Sequence, residues 1–328
     1  MRGSGESPYA WTVDPTRVEA FHTWGQVMMI LDPTRMTDSC RRAAVRATLA
    51  PSVHNTQPWR LRLGPDRLVL VPDRTRQLTV HDPTGRQLII SCGCALFNAR
   101  TSLAADGVPV DVRRFPAGVA AGQPCAVITV DGESLVDDGT LASLDKAVES
   151  RRTNTRPFTD QPVPEGLLDH LQMAAIDEGA QLVVLTAGQA RFVEAQHQQA
   201  ALVMQLDPAY RTELRAWRGD TEALRVDREQ DADAGAERLA LISTERDHPN
   251  DWLRAGEALE RVMLEATRSG YAVGLSSQVA EVPSVRTALR RGLGLDRFPH
   301  VLLRIGVAPT SRATRRRRLG EVIEPDRR

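Results

Sequence analysis

Strict alternation of apolar and polar residues is confined to short runs. WRLRL at 59–63 and RLVLV at 67–71 flank the turn Gly64-Pro65-Asp66, and the pair predicts a β-hairpin. Further strands are expected at 108–115, 124–130, 181–185 and 300–306. A helical period predicts helices at 39–50, 87–106, 140–150, 165–178, 189–206, 252–269 and 282–291. The first has Asp38 or Ser39 available as N-cap, and Pro51 ends it, because the residue before a proline avoids the helical region. Helices and strands mix without the alternation of a doubly wound sheet, and no G-x-G-x-x-G follows a strand. An α+β sandwich therefore fits better than a dinucleotide-binding Rossmann unit.

Composition narrows the class. At 328 residues the chain has room for two core-forming units or one large intertwined one. Its 42 basic and 42 acidic side chains cancel, which disfavours a general polyanion binder or an anionic membrane partner. Lys146 stands alone against 41 arginines, so the number of arginines by itself carries little functional weight. No long apolar run is evident, and the opening segment MRGSGESPYAWTVDP lacks the apolar stretch of a secretory leader. A soluble, cytoplasmic protein without membrane or nucleic-acid partners is expected. Cys40, Cys92, Cys94 and Cys125 show neither a disulfide framework nor zinc-ligand spacing and read as small buried residues.

The densest chemistry lies in APSVHNTQPW, Ala50 to Trp59. Pro51, Ser52, Val53, His54, Asn55 and Gln57 fall on a short loop between a helix end and a strand. The side-chain amides of Asn55 and Gln57 can each donate and accept, as a flat ring with adjacent imide N–H and carbonyls requires. An ordinary polar turn with Trp59 in the core fits the same residues. His54 is either a proton donor to a substrate or a structural residue of the loop.

The pattern P-S-x-x-N-x-Q-P-W resembles the flavin-ring loop of the FMN-dependent nitroreductase superfamily, and the residues around it are similar to the Acg-type branch. SRRTNTRPF at 150–158 is similar to the family's R-R-S-x-R-x-F signature. The segments DWLRAGEALERVMLEATRSGYAVGLSSQ and HVLLRIGVAPTSRATRRRRLGEVIE resemble its last long helix, its Gly-Leu turn beside the flavin and its terminal strand with basic phosphate contacts. The likeness covers about 35–323. It implies FMN as cofactor and hydride or electron transfer to a small electron-poor substrate, with NAD(P)H or another donor reloading the flavin. It further implies phosphate contacts from Arg151, Arg152 and Arg156, with Arg316 and Arg318 as a second clamp, since guanidinium forks suit a dianion. Thr153 and Asn154 would reach the ribityl chain and ring. Pro51, Val53, Asn55 and Gln57 would meet the ring, Ser52 its own loop or the ring, and backbone donors at Gly274, Leu275, Ser276 and Ser277 would face its N5 or dimethylbenzene side. The flavin carries the chemistry, so no separate general acid or base is required, with His54 the one candidate. Thr153 replaces the usual serine and an extra residue precedes Arg156, which leaves open whether Asn154 or Arg156 faces the ligand.

A repeat runs through the chain. CGCALFNARTSLAADGVPV at 92–110 aligns without gaps with AGEALERVMLEATRSGYAV at 255–273, pairing Gly93 with Gly256, Ala95 with Ala258, Leu96 with Leu259, Gly107 with Gly270 and Val110 with Val273. Ordinary nitroreductases are homodimers with shared flavin sites. Here the ring loop occurs only in the first half, the arginine signature and basic terminus only in the second. The resemblance and the repeat together imply a fused pseudo-dimer of two degenerate halves, 1–135 and 136–328, with one complete FMN site, in a monomer or homodimer.

The polar segment 207–250 begins with an amphipathic stretch, 210–217, and reads as a lid-like insertion with Trp217 as cap, or as a surface excursion. Two functional readings follow: a flavin-dependent oxidoreductase, or a flavin-sequestering protein whose lid denies access to nicotinamide. A nucleic-acid adaptor acting through Arg315 to Arg318 is disfavoured by the zero net charge and few aromatics.

Overall fold

The computed structural model describes residues 33–131, 139–218, 236–276 and 278–325. All of them belong to one compact unit, 33–328. The hairpin forms as its pattern requires: β1 (Trp59–Leu63) pairs antiparallel with β2 (Arg67–Pro72), with Leu61 opposite Leu70. Strands β3 (Val110–Arg114) and β4 (Ala126–Val130) extend it on one side. On the other side the chain's last strand, β9 (Ile323–Pro325), runs parallel to β1 and gives the order β3-β4-β2-β1-β9. The C-terminus thus completes a sheet otherwise built by the first half. The second sheet is antiparallel, in the order β5-β6-β8-β7, from β5 (Gln181–Val184), β6 (Arg238–Thr244), β7 (Ala272–Ser276) and β8 (Phe298–Gly306).

Nine α-helices lie among the described residues: α1 (Pro33–Ala47), α2 (Arg86–Ala105), α3 (Asp145–Ser150), α4 (Glu165–Asp177), α5 (Ala187–Leu206), α6 (Pro208–Arg218), α7 (Pro249–Arg268), α8 (Gln278–Glu281) and α9 (Pro283–Gly292). Helix α2 packs on β2, α7 packs on β6, β7 and β8, and the two helices pack on each other. At their crossing a Cβ built on Gly93 would lie 2.8 Å from the Cα of Gly256 and would also strike the Leu253 carbonyl. A Cβ on Gly256 would lie 2.8 Å from the Cα of Gly93 and would strike the Ile90 carbonyl. Only glycine lets the backbones approach this closely. Around the crossing, Glu257 is buried and receives charge-assisted hydrogen bonds from Arg100 and Arg114 at 2.7 Å each, and Glu178 is held by Arg100 and Arg261.

Several expectations are corrected. Helix α1 starts at Pro33 rather than near Ser39, since a proline is well placed in a first helical turn, so neither Asp38 nor Ser39 is its cap. The helix expected over 140–150 is a 3-10 turn followed by the short α3. Gly274 and Leu275 lie within strand β7, not in a turn; Gly274 fits there because the Asn154 carbonyl passes 3.2 Å from where a Cβ would sit. Of the segment 207–250, residues 219–235 lie outside the described residues; the latter part includes β6, held between β5 and β8, whose apolar Leu-Ala-Leu-Ile core the polar composition of the segment conceals. Helix α2, though interrupted by Asn98 and Arg100, is long and apolar enough to cross a membrane by length and mean composition, and 83% of that window is buried inside the fold. All four cysteines are buried and free.

Candidate functional site

The loop after α1 is strained. His54, Asn55 and Gln57 all adopt positive φ, at 46°, 57° and 49°, three of only four non-glycine residues to do so among the described residues. Such strain persists only where the surroundings impose it and tends to gather at functional sites. Ser52 Oγ accepts the Gln57 amide at 3.0 Å and closes the loop on itself, and Ser91 Oγ accepts Val53 N–H at 3.2 Å, anchoring it to α2.

The basic terminus lies against this loop. The amide of Asn55 donates to the Arg315 carbonyl at 3.1 Å. Gln57 Oε1 accepts the Arg317 N–H at 2.8 Å, so Gln57, buried, is committed to holding the terminal segment. The Arg317 guanidinium donates to the carbonyls of Gln57 and Trp59.

The arginines converge at the end of α1. Arg151 Nη2 and Arg316 Nη2 both donate to the Leu49 carbonyl, at 3.3 and 2.8 Å, and Arg316 also reaches the Ala50 carbonyl. Both carbonyls belong to the turn that follows α1, and a guanidinium is a strong donor to such backbone oxygens. Burial first, then the neighbouring Arg151 and Arg152, push the Arg316 guanidinium down to about 10, while Glu260 opposes that shift. Glu260 Oε1 stands 3.4 Å from Arg151 Nε, and burial raises its carboxyl to about 7 despite that guanidinium. The guanidiniums of Arg151 and Arg316 therefore both act on one buried carboxyl, that of Glu260. Arg151 Nε and Arg316 Nε are buried without a hydrogen-bond acceptor, and so is the Ser276 hydroxyl at the end of β7.

The segment carrying the arginine signature, 150–158, is tied to β7. Thr153 bridges Val273 in parallel and Asn154 N–H donates to the Val273 carbonyl at 2.8 Å. The Asn154 side chain is consumed locally: its Oδ1 accepts from Arg156 N–H and Ser311 Oγ, and its Nδ2 donates to the Arg156 carbonyl. Arg156 and Arg318 are both exposed. Arg151 and Arg316 thus meet where the chain enters the ring loop, Thr153 and Gly274 lie along β7, Arg152 donates to the Glu149 and Arg151 carbonyls, and Arg156 and Arg318 are exposed. Ser277 lies outside the described residues. The sequence reading passed over Arg317, Glu260, His81, Glu213 and Glu281. Arg317 sits between the two arginines it singled out, whereas a buried glutamate on an amphipathic helix leaves no local signal.

Helix α6 docks beside the loop. Glu213 accepts hydrogen bonds from Thr79 Oγ1 and from the N–H groups of Val80 and His81, the last at 2.8 Å. Arg76 lies 5.0 Å from the Trp217 ring centroid, and Tyr210 stacks on His81. His81 in turn contacts His54 of the ring loop at 3.1 Å.

Residues 148–308 match the model of the Nitroreductase family. A Mycobacterium tuberculosis protein named "Putative NAD(P)H nitroreductase Rv3131" is 33% identical over 320 residues, spanning 88% of this chain and 91% of that protein. A second from that organism, "Putative NAD(P)H nitroreductase acg", is 26% identical over 320 residues, spanning 88% of this chain and 96% of its own length. A solved structure, the FMN and NADPH-dependent nitroreductase NfnB from sphigopyxis sp. strain HMH, aligns at 22% identity over 56% of this chain and 98% of its own, with a TM-score of 0.39. Near-complete coverage by relatives at this identity settles the family: the chain belongs to the nitroreductases, on the Acg-type branch.

Proposed function

We propose that this protein binds one FMN between its two halves and acts as an oxidoreductase, passing electrons from NAD(P)H to a small electron-poor substrate. The observation that carries this reading is the meeting of Arg151 and Arg316 at the Leu49 carbonyl just after α1, with the Arg316 Nε–H buried without an acceptor, Arg152 next in the chain and Glu260 the carboxyl that faces both guanidiniums. Like charges gathered in a buried place are costly unless an anion joins them, and a dianionic phosphate suits planar guanidinium donors. The NAD(P)H nitroreductase names of the relatives support the same assignment.

When bound, FMN supplies the hydride and electron transfer. The chain's residues bind and orient it. Arg151 and Arg316 would hold the phosphate, Thr153 and the Ser276 hydroxyl would meet the ribityl chain and ring, and Asn55, whose amide also donates to the Arg315 carbonyl, would border the ring edge. Glu260 titrates near neutrality and so offsets part of the arginine charge without cancelling it.

The fused-halves reading, 1–135 with 136–328, is supported by the reciprocity at the helix crossing. Gly93 and Gly256 are equivalent in the repeat, and they meet each other; the carbonyls they approach, Leu253 and Ile90, are equivalent as well. That is the signature of an isologous contact on a two-fold axis, where a surface meets its own copy. The sharing of β9 with the first sheet adds to it.

A second reading, a lid-covered flavin with little turnover, is favoured by the docking of α6 through Glu213, Tyr210 and Trp217. One experiment separates them: the absorbance spectrum of the purified protein, followed by anaerobic titration with NADPH. A flavin spectrum at one FMN per chain with rapid bleaching supports the oxidoreductase, and the same spectrum without bleaching supports sequestration. Absence of FMN binding, or two FMN per chain, overturns the shared-site reading.

A further inference from the structure

We propose that His54, His81 and Glu281 form a binding site for a divalent transition-metal ion of the zinc class. The three residues come from separate parts of the chain: the ring loop, the segment after the hairpin, and the end of α8. One ligand atom from each lies within 4.8 Å of the others. His54 Nε2 and His81 Nε2 are 3.1 Å apart, and Glu281 Oε2 pairs with that same nitrogen of His81. The side chains of His81 and Glu281 are 2% and 1% exposed.

Such a trio can also be a proton relay, and the geometry separates the two. A relay through an imidazole uses both ring nitrogens, one receiving a proton as the other releases one. Here both contacts of His81 fall on Nε2, so a proton arriving from either partner has no route across the ring to the other. A single ring nitrogen offers one N–H or one lone pair in one direction, which two partners cannot both use well. A cation removes the conflict by taking a lone pair from each of the three atoms at once. Two nitrogens bonded at about 2.0–2.1 Å to a tetrahedral ion stand about 3.3 Å apart, close to the separation of the two imidazoles.

The donor set and the charge agree. Two imidazoles and a carboxylate are ligands that zinc and its neighbours accept, with a further position left for water. Nearby, Asp82, Asp247 and Glu281 act on the Arg86 guanidinium and offset its charge. Tyr210 stacks on His81 at 4.7 Å and 24°, and Glu213 fixes its backbone N–H, so the ring is held in plane toward the ion. An ion here would tie the ring loop to the segment after the hairpin and to α8. The inference stands independently of the flavin reading.

The test uses the full chain, stripped with a chelator and titrated with Zn²⁺ by calorimetry and with Co²⁺ by visible absorption, with and without added FMN. One equivalent of each metal is expected, with d–d bands of a low-coordinate Co²⁺ that Zn²⁺ displaces. Since even outer-shell partners are worth about 10–100-fold in metal affinity, His81→Ala should weaken Zn²⁺ binding by roughly 100-fold or more. Glu281→Gln should weaken it by a smaller factor, roughly tenfold. His54→Ala, at a less buried position, carries the expectation of His81→Ala should that variant not fold. A folded parent that binds neither metal stoichiometrically, or variants that bind as the parent does, would overturn the site and leave a hydrogen-bonded trio.

Discussion

Gly93 of α2 and Gly256 of α7 face one another so closely that a methyl group on either would lie 2.8 Å from the other's Cα. The clash is with backbone on both sides, so no side chain can swing away to relieve it. Gly93→Ala and Gly256→Ala should each destabilise by about 1–3 kcal/mol or more, and by similar amounts, because each meets the equivalent carbonyl of the other helix. Gly107→Ala, at φ +68° with open space around its Cβ, should cost only the backbone strain, about 1 kcal/mol. Urea denaturation of the three variants checks this. Sharply unequal losses at Gly93 and Gly256 would count against a pseudo-two-fold axis through the crossing.

The phosphate arginines are expected to separate by burial. Arg316 reaches the Leu49 carbonyl from a partly buried position, whereas Arg318 is exposed. Arg316→Ala should lower FMN affinity by roughly tenfold to a hundredfold, the range of a charge-assisted hydrogen bond of about 1.5–3 kcal/mol. Arg318→Ala should change it little. Fluorescence titration with FMN measures both, and equal effects would move the phosphate away from the end of α1.

The hairpin, the two repeat helices and the ring loop were legible in the sequence because each is specified by neighbours along the chain. Alternation marks β1 and β2, and Pro51 marks the loop's start. Strand β6 was hidden because it follows a polar stretch, and β9 is too short to carry a pattern; both are fixed by the strands they pair with. Glu260 and Glu281 show the same limit at the site. Their burial depends on Arg151 and on His81, far away in sequence.

Glu260 makes a pH-dependent contribution with a definite sign. Its carboxyl is raised from 4.5 to about 7, foremost by burial, so the folded state binds its proton more tightly than the unfolded state. Stability from this group is therefore greatest below about 4.5 and is lost as pH rises toward 7. His300, lowered from 6.5 to about 3 by burial and then by Arg286 and Arg86, acts in the opposite sense: its contribution is lost as pH falls through that window. Comparing Glu260→Gln with the parent leaves the His300 slope common to both. The difference in unfolding free energy, parent minus variant, should fall between about pH 4.5 and 7 and flatten above it. A difference that is flat across that range would show that the carboxyl titrates normally.

Helix α6 controls access if it covers the flavin. Its grip on the loop over 79–81 rests on Glu213, which accepts hydrogen bonds from two backbone N–H groups and a hydroxyl, and on Trp217 beside Arg76. Removing the carboxylate in Glu213→Ala leaves those donors to water and loosens the helix, at a cost of about 1–3 kcal/mol for a charged acceptor. Iodide should then quench bound flavin more strongly than in the parent, and NADPH oxidation should rise from a low starting rate, as expected when a lid limits access. The paired variant Trp217→Ala should act in the same direction, since an indole near the ring would occupy the face a nicotinamide needs. A parent that already turns over at rates of order 1–10³ per second would show an open face. Unchanged quenching in both variants, beside a slow parent, would place the cause of low turnover at the ring loop rather than at α6.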